Sequence, residues 1–128
     1  MIKFYVVVRV PGSVELDYSL EFEAPEVPQI GSYISVNRIG DRVVGEDMIV
    51  RHVWWRFEHP PASASNDEPT GNLIEIFVEC DPAIGPYASR SWRKGLEDAR
   101  ARGIAVEDFQ VSRQPIMGQP PEDDGDPI

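Results

Sequence analysis

Apolar and polar side chains alternate with a period of two in three separate stretches of this chain, and that pattern restricts it to a fold built on half-buried sheet. Ile2, Phe4, Val6, Val8 and Val10 alternate with Lys3, Tyr5, Val7 and Arg9. After the turn residues Pro11, Gly12 and Ser13, the residues Tyr18, Leu20 and Phe22 alternate with Ser19, Glu21 and Glu23. The two stretches read as an antiparallel hairpin whose second strand carries an acidic outer face. Further on, Ile74, Ile76, Val78 and Cys80 alternate with Glu75, Phe77 and Glu79.

Between them the pattern changes. Tyr33 to Val36 is a short strand ended by Asn37, Arg38, Ile39, Gly40 and Asp41. The run from Met48 to Glu58 is apolar on both parities, through Val50, Val53, Trp54, Trp55 and Phe57, so both of its faces need cover. That predicts a central strand, or a bulged one whose parity slips near Trp54 and Trp55. The run from Leu73 to Cys80 should pair with it, across a mobile loop from His59 to Gly71 that has too little apolar content to pack. Asp81 to Tyr87, with two prolines and Gly85, reads as a rigid connection. Ser89 or Ser91 then offers an N-cap for a helix to about Arg102, stopped by Gly103, with Trp92, Leu96 and Ala99 as one apolar stripe. A last strand is expected from Val106 to Ser112.

The expected architecture is therefore α+β: one domain over residues 1–113, a mostly antiparallel sheet of about five to six strands, and one C-terminal helix packed on it. The spacing of the strands suggests a small half-open barrel. Residues 114–128 hold four prolines and four acids with no basic residue, which predicts a disordered acidic tail. At 128 residues the chain has room for one core. No apolar run approaches the roughly 20 residues of a membrane helix, the start reads as strand rather than leader, and the single cysteine argues against a disulfide framework, so a cytoplasmic location is expected.

Candidate chemistry is sparse. The histidine and cysteine census is His52, His59 and Cys80. A Cys80–His52 thiolate–imidazole pair is the only nucleophilic arrangement on offer, but the parity of Cys80 matches core residues and a buried thiol is the plainer reading. No metal-ligand spacing and no glycine-rich phosphate loop occurs, so no metal, no cofactor and no catalytic residue is assigned.

Two features point toward binding instead. Adjacent strand residues face opposite ways, so Trp54 and Trp55 cannot both enter one side of a sheet, and an exposed tryptophan anchors interfaces or stacks on bases. Charge is also segregated: net charge is −10, yet Arg90, Arg93, Lys94, Arg100 and Arg102 give residues 88–102 a balance of +3. The leading expectation is a non-catalytic protein-interaction or inhibitor module working through charged and aromatic surface, in its sharpest form an acidic nucleic-acid mimic. The alternatives are nucleic-acid binding through the helix cations with a tryptophan stacked on a base, and a small enzyme using Cys80 and His52. The predicted binding residues are Trp54, Trp55, Arg90, Arg93, Lys94, Arg100 and Arg102. The expected partner is another protein, no membrane is involved, and the Ile2 or Tyr33 strand, if an exposed edge, would allow a homodimer.

Overall fold

The computed structural model describes residues 1–40, 44–62 and 69–109. Strands β1 (Ile2–Arg9), β2 (Leu16–Ala24), β3 (Tyr33–Arg38), β4 (Val44–Glu58) and β5 (Asn72–Ile84) are followed by helix α1 (Arg90–Ala101) and the short strand β6 (Glu107–Asp108). They form one mixed, strongly curled half-barrel sheet in the order β2-β1-β5-β4-β3, with β6 added alongside β5. The α+β single-domain class read from the sequence is the class observed.

The expected hairpin forms: β1 pairs antiparallel with β2, Phe4 opposite Phe22 and Val6 opposite Leu20. The other edge of β1 lies parallel to β5, Tyr5 opposite Phe77 and Val8 opposite Cys80. The Ile2 strand is thus interior and not an edge, while β2 and β3 are the edges of the main sheet. Alternation puts Phe4, Val6, Val8, Val36, Met48, Val50, Ile76, Val78 and Cys80 on the concave side, where they form the buried core with Val27. The curl brings β2 toward the far edge. Tyr18 Oη donates to Glu46 Oε1 at 2.6 Å, Arg38 Nε lies 3.3 Å from the same oxygen, and the Arg38 guanidinium sits over the Tyr18 ring. One residue from each of β2, β3 and β4 therefore fastens the open side.

Two sequence expectations need correction. Asp81 to Ile84 continue β5 and are not a connecting loop. Pro82 is tolerated there because it falls between Cys80, the last partner of β1, and Ala83, the first partner of β6, where no neighbour on that edge calls for its missing N–H. The β4–β5 ladder is bulged as expected, its parity slipping between Val50 and His52 and again between Arg56 and Phe57, just beyond the tryptophan pair. β4 also starts earlier than expected, at Val44.

The helix begins as predicted: Ser89 is the N-cap, its hydroxyl accepting from the Trp92 N–H at 3.2 Å. It ends with Gly103 at φ 92°, the left-handed position that glycine takes without strain. Leu96 and Ala99 are buried, and Trp92 Nε1 donates to the carbonyls of Asp47 and Ala83, which docks the helix on the start of β4 and the end of β5. Within the last predicted strand the described part is strand only at β6, Glu107–Asp108; its residues 110–112, the acidic tail and residues 63–68 of the predicted loop lie outside the described residues.

Candidate functional site

β4 and β5 are longer than their neighbours, and this creates the most unusual surface of the molecule. β3 accompanies β4 only from Val44 to Ile49, and β1 accompanies β5 only from Phe77 to Cys80. Beyond those points, among the described residues, β4 and β5 pair with each other alone, Trp55 opposite Ile76, Arg56 opposite Glu75 and Phe57 opposite Leu73. The hairpin is a two-stranded arm standing clear of the rest of the sheet.

A two-stranded ribbon covers neither of its faces, so apolar residues at both parities stay in water. Trp54 is 55% exposed, Trp55 46% and Phe57 65%, and Leu73 and Ile74 are close to half exposed. The question left by parity is thereby answered: neither tryptophan is buried. Trp54 lies on the convex side opposite Phe77, whose ring centroid is 5.7 Å from that of Tyr5, so an aromatic row crosses β4, β5 and β1. Trp55 lies on the concave side opposite the buried Ile76 and extends the core upward into solvent.

Charge frames the convex row. Arg56 is ion-paired with Glu75, His52 Nδ1 is 3.4 Å from Glu79, Lys3 is 4.0 Å from Glu21, and Glu23 is exposed on the same side of β2. Four carboxylates thus surround the aromatic centre, two of them paired with the permanent cations Lys3 and Arg56.

The helix cations belong to a different region. Arg90, Lys94 and Arg102 are exposed, Arg100 Nη1 is bonded to Asp108 at 2.9 Å, and Arg93 Nη2 lies 3.4 Å from the Ala88 carbonyl. Since α1 docks at Asp47 and the aromatic arm begins at Trp54, the two lie roughly 23 Å apart along β4, at about 3.3 Å per residue. The fold does not bring the tryptophans and the basic helix into one patch.

Cys80 and His52 are not a catalytic pair. The Cys80 side chain is fully buried on the concave side opposite Val50, whereas His52 projects from the convex side beside Glu79. Burial pushes the Cys80 thiol up to about 12, and the neighbouring Asp81 charge adds to the shift. Such a thiol is almost wholly protonated at neutral pH. Maleimide labelling at pH 7.5 is expected to proceed only as fast as the native chain opens; rapid labelling would mean that Cys80 is accessible.

A concave region of about 470 Å³ lies on the convex side of the sheet between the β1–β2 turn and the segment leading to β6. Its charges are already matched: Arg9 Nε bonds Asp81 Oδ1 at 2.9 Å, Arg51 Nε bonds Asp81 Oδ2 at 2.8 Å, and Arg51 Nη2 bonds Glu107 at 2.9 Å. This network ties β1, β4, β5 and β6 together. Among the described residues no group of three histidine, cysteine or acidic side chains is placed to hold a metal ion, and no helix is long and apolar enough to cross a membrane.

Trp54 and Trp55 were legible in the sequence as exposed candidates, whereas Phe57, Leu73 and Ile74, exposed on the same arm, were not. Their signal was present in the unbroken apolar parity of the Met48–Glu58 run, but exposure depends on where the neighbouring strands stop. No protein-family model, curated protein or solved structure matches this chain.

Proposed function

We propose that this chain is a non-catalytic interaction module that grips another protein with its β4–β5 arm. The observation that carries the reading is the cluster of Trp54, Trp55, Phe57, Leu73 and Ile74 on a ribbon that nothing else in the described fold covers. Interface centres are rich in tryptophan and other large apolar side chains, with charged residues at the rim, and the arm has that composition. The acidic frame of Glu21, Glu23, Glu75 and Glu79 favours a basic partner surface, by charge complementarity. The same acidic frame supports the narrower reading in which β2 and its neighbours imitate the charge of a nucleic acid in a basic groove.

The test is affinity capture from the native host, with and without nuclease, using the full chain and its Trp54→Ala, Trp55→Ala and Glu21→Gln/Glu23→Gln variants. Both tryptophans are half exposed, so each variant should fold, which a thermal melt verifies. The expected result is a protein captured equally with nuclease and lost in the tryptophan variants, each anchor accounting for about 2 kcal/mol or roughly 30-fold in affinity. Retention by both tryptophan variants would overturn the proposal. Capture that disappears with nuclease would transfer the function to nucleic acid and the helix cations. Loss in the glutamate variant would support charge mimicry, and unchanged binding there would remove it.

A further inference from the structure

The two arginines that line the concave region beside the β1–β2 turn use only part of their guanidinium groups. Arg9 donates through Nε alone, to Asp81, and Arg51 through Nε to Asp81 and Nη2 to Glu107. The region is matched charge for charge, but not donor for donor. Among the described residues Arg9 Nη1, Arg9 Nη2 and Arg51 Nη1 have no hydrogen-bond partner, and none of the three is shut off from solvent. The Arg9 side chain is only 13% exposed, and it lines the cavity.

Both arginines sit at irregularities of the sheet. Val50 is opposite Cys80 and His52 opposite Glu79, so Arg51 is the extra residue of a bulge. Val8 is opposite Tyr18 and Arg9 opposite Leu16, so the β1–β2 ladder slips beside Arg9. Bulges re-aim side chains and are over-represented next to functional sites. Here two of them serve one cavity of about 470 Å³. Its walls are braced against each other, since the β1–β2 turn rests on the segment after α1 so closely that a Cβ on Gly12 would come within 2.8 Å of an Ile104 methyl. Donors fixed in this way need little ordering when a ligand arrives.

Three unused guanidinium nitrogens call for an oxyanion. The Nη1–Nη2 end of an arginine presents two N–H groups side by side, which match the two oxygens of a carboxylate. Two cations and two carboxylates cancel in the network, so a monoanion leaves the site singly negative. A phosphate dianion would leave it doubly negative in a chain that already carries −10. We propose that this cavity binds a small organic monocarboxylate, its oxygens on the Nη1–Nη2 end of Arg9 with a further hydrogen bond from Arg51 Nη1, and its hydrocarbon body against Pro11, Val14, Pro82 and Val106. The volume is the share of about sixteen liquid waters, room for a six-carbon acid. This site does not depend on the β4–β5 arm, and either can fail without the other.

The full chain is titrated with sodium hexanoate, with hexanamide as the neutral analogue and inorganic phosphate as the tetrahedral one, at constant ionic strength. The Nε–H resonances of Arg9 and Arg51 and the backbone amides of Gly12, Ser13 and Val106 are followed by NMR. Saturable shifts with hexanoate, roughly tenfold weaker with hexanamide and with phosphate, are the expected result. Arg9→Lys keeps a charge beside Asp81 but loses the paired N–H groups, and should weaken hexanoate roughly tenfold. Val14 lines the cavity yet is 84% exposed, so changes there leave the core and the ion network intact. Val14→Lys should tighten hexanoate about threefold and Val14→Asp weaken it about threefold, the size of an exposed charge interaction. Tighter binding of acetyl-alanyl-alanine than of hexanoate would identify a partner's chain end as the source, and the reverse order a free acid; either supports the chemistry. Equal response to hexanamide, phosphate binding as tight as hexanoate, no saturable shift with any probe, shifts confined to the Trp54 and Trp55 indoles, or hexanoate binding unchanged in Arg9→Lys and in both Val14 variants would overturn it.

Discussion

Replacing Gly45 by alanine is expected to lower the unfolding free energy by about 3 kcal/mol, the upper end of what forcing an extra methyl into a packed site costs. A Cβ at Gly45 would run into the backbone carbonyl oxygen of Tyr87, an atom that cannot swing aside as a side chain would. The contact is close because the loop before α1 is laid directly on the start of β4, with the Ser89 N–H donating to the Gly45 carbonyl at 2.9 Å. Displacing that loop disturbs the Ser89 cap and the Trp92 bonds to Asp47 and Ala83 together, so the helix loses its seat as well as its start. For a chain of this size the loss corresponds to a fall in Tm of about 10 °C. Gly95→Ala is the matching control. Gly95 is exposed in mid-helix with open space where its Cβ would be, so alanine there should add about 0.5 to 1 kcal/mol through reduced backbone entropy. Urea unfolding followed by far-UV circular dichroism measures both. A Gly45→Ala chain within 0.5 kcal/mol of the parent would mean that the loop does not rest on β4 as described.

What was legible in the sequence was local. Period-two alternation located β1, β2 and β5, because a sheet with one buried face imposes that period directly. The helix was legible from its punctuation, Ser89 before it and Gly103 after it. The parallel pairing of β1 with β5 was not, since it joins residues more than seventy positions apart and leaves no mark on either segment. Asp81 and Pro82 looked like a connection because proline normally ends a strand, and only the gap between two neighbouring strands makes it harmless here.

The same division holds for the sites. Parity alone implied that Trp54 and Trp55 leave the sheet in opposite directions, but it did not foretell that both are exposed: the β3 ladder ends at Ile49 and the β1 ladder ends at Phe77, opposite Trp54. Asp47 gave no sign of its environment. In the sequence it stands in the run Gly45, Glu46, Asp47 and Met48, where two adjacent acids suggest solvent. Both are buried, for reasons that come from other elements: Tyr18 and Arg38 meet Glu46 across the open side of the barrel, and the Tyr87 loop covers Asp47.

Above pH 9 the protein is expected to lose stability steeply, and the loss should be assignable to two residues. Cys80 releases its proton near pH 9 when unfolded but only at about 12 in the core, where burial opposes a thiolate. Between those values the unfolded chain binds fewer protons than the folded one, so stability falls with rising pH by up to about 1.4 kcal/mol per unit. The contribution is fully present below pH 9 and is gone by about pH 12, in total roughly 4 kcal/mol. Tyr18 acts in the same direction. Its hydroxyl is raised first by burial and then by donating to the Glu46 carboxylate, so ionising it would both bury a charge and set it against another of the same sign. Its share is smaller because the side chain is only half buried and solvent screens the charge. Urea unfolding of the parent at pH 8, 9, 10 and 11 should therefore give a descending curve, flatter in Cys80→Ala and flattened further when Tyr18→Phe is added. Cys80→Ala should itself lower stability at pH 8 through the small void it leaves, so the decisive quantity is the slope. A parent curve level from pH 9 to 11, or one whose slope both variants leave unchanged, would mean that neither proton is held by the closed half-barrel. A reduced slope in both would mean that the core strand β5 and the seam joining β2 to β3 and β4 open in the same cooperative transition, because both protons would then be released by one unfolding event.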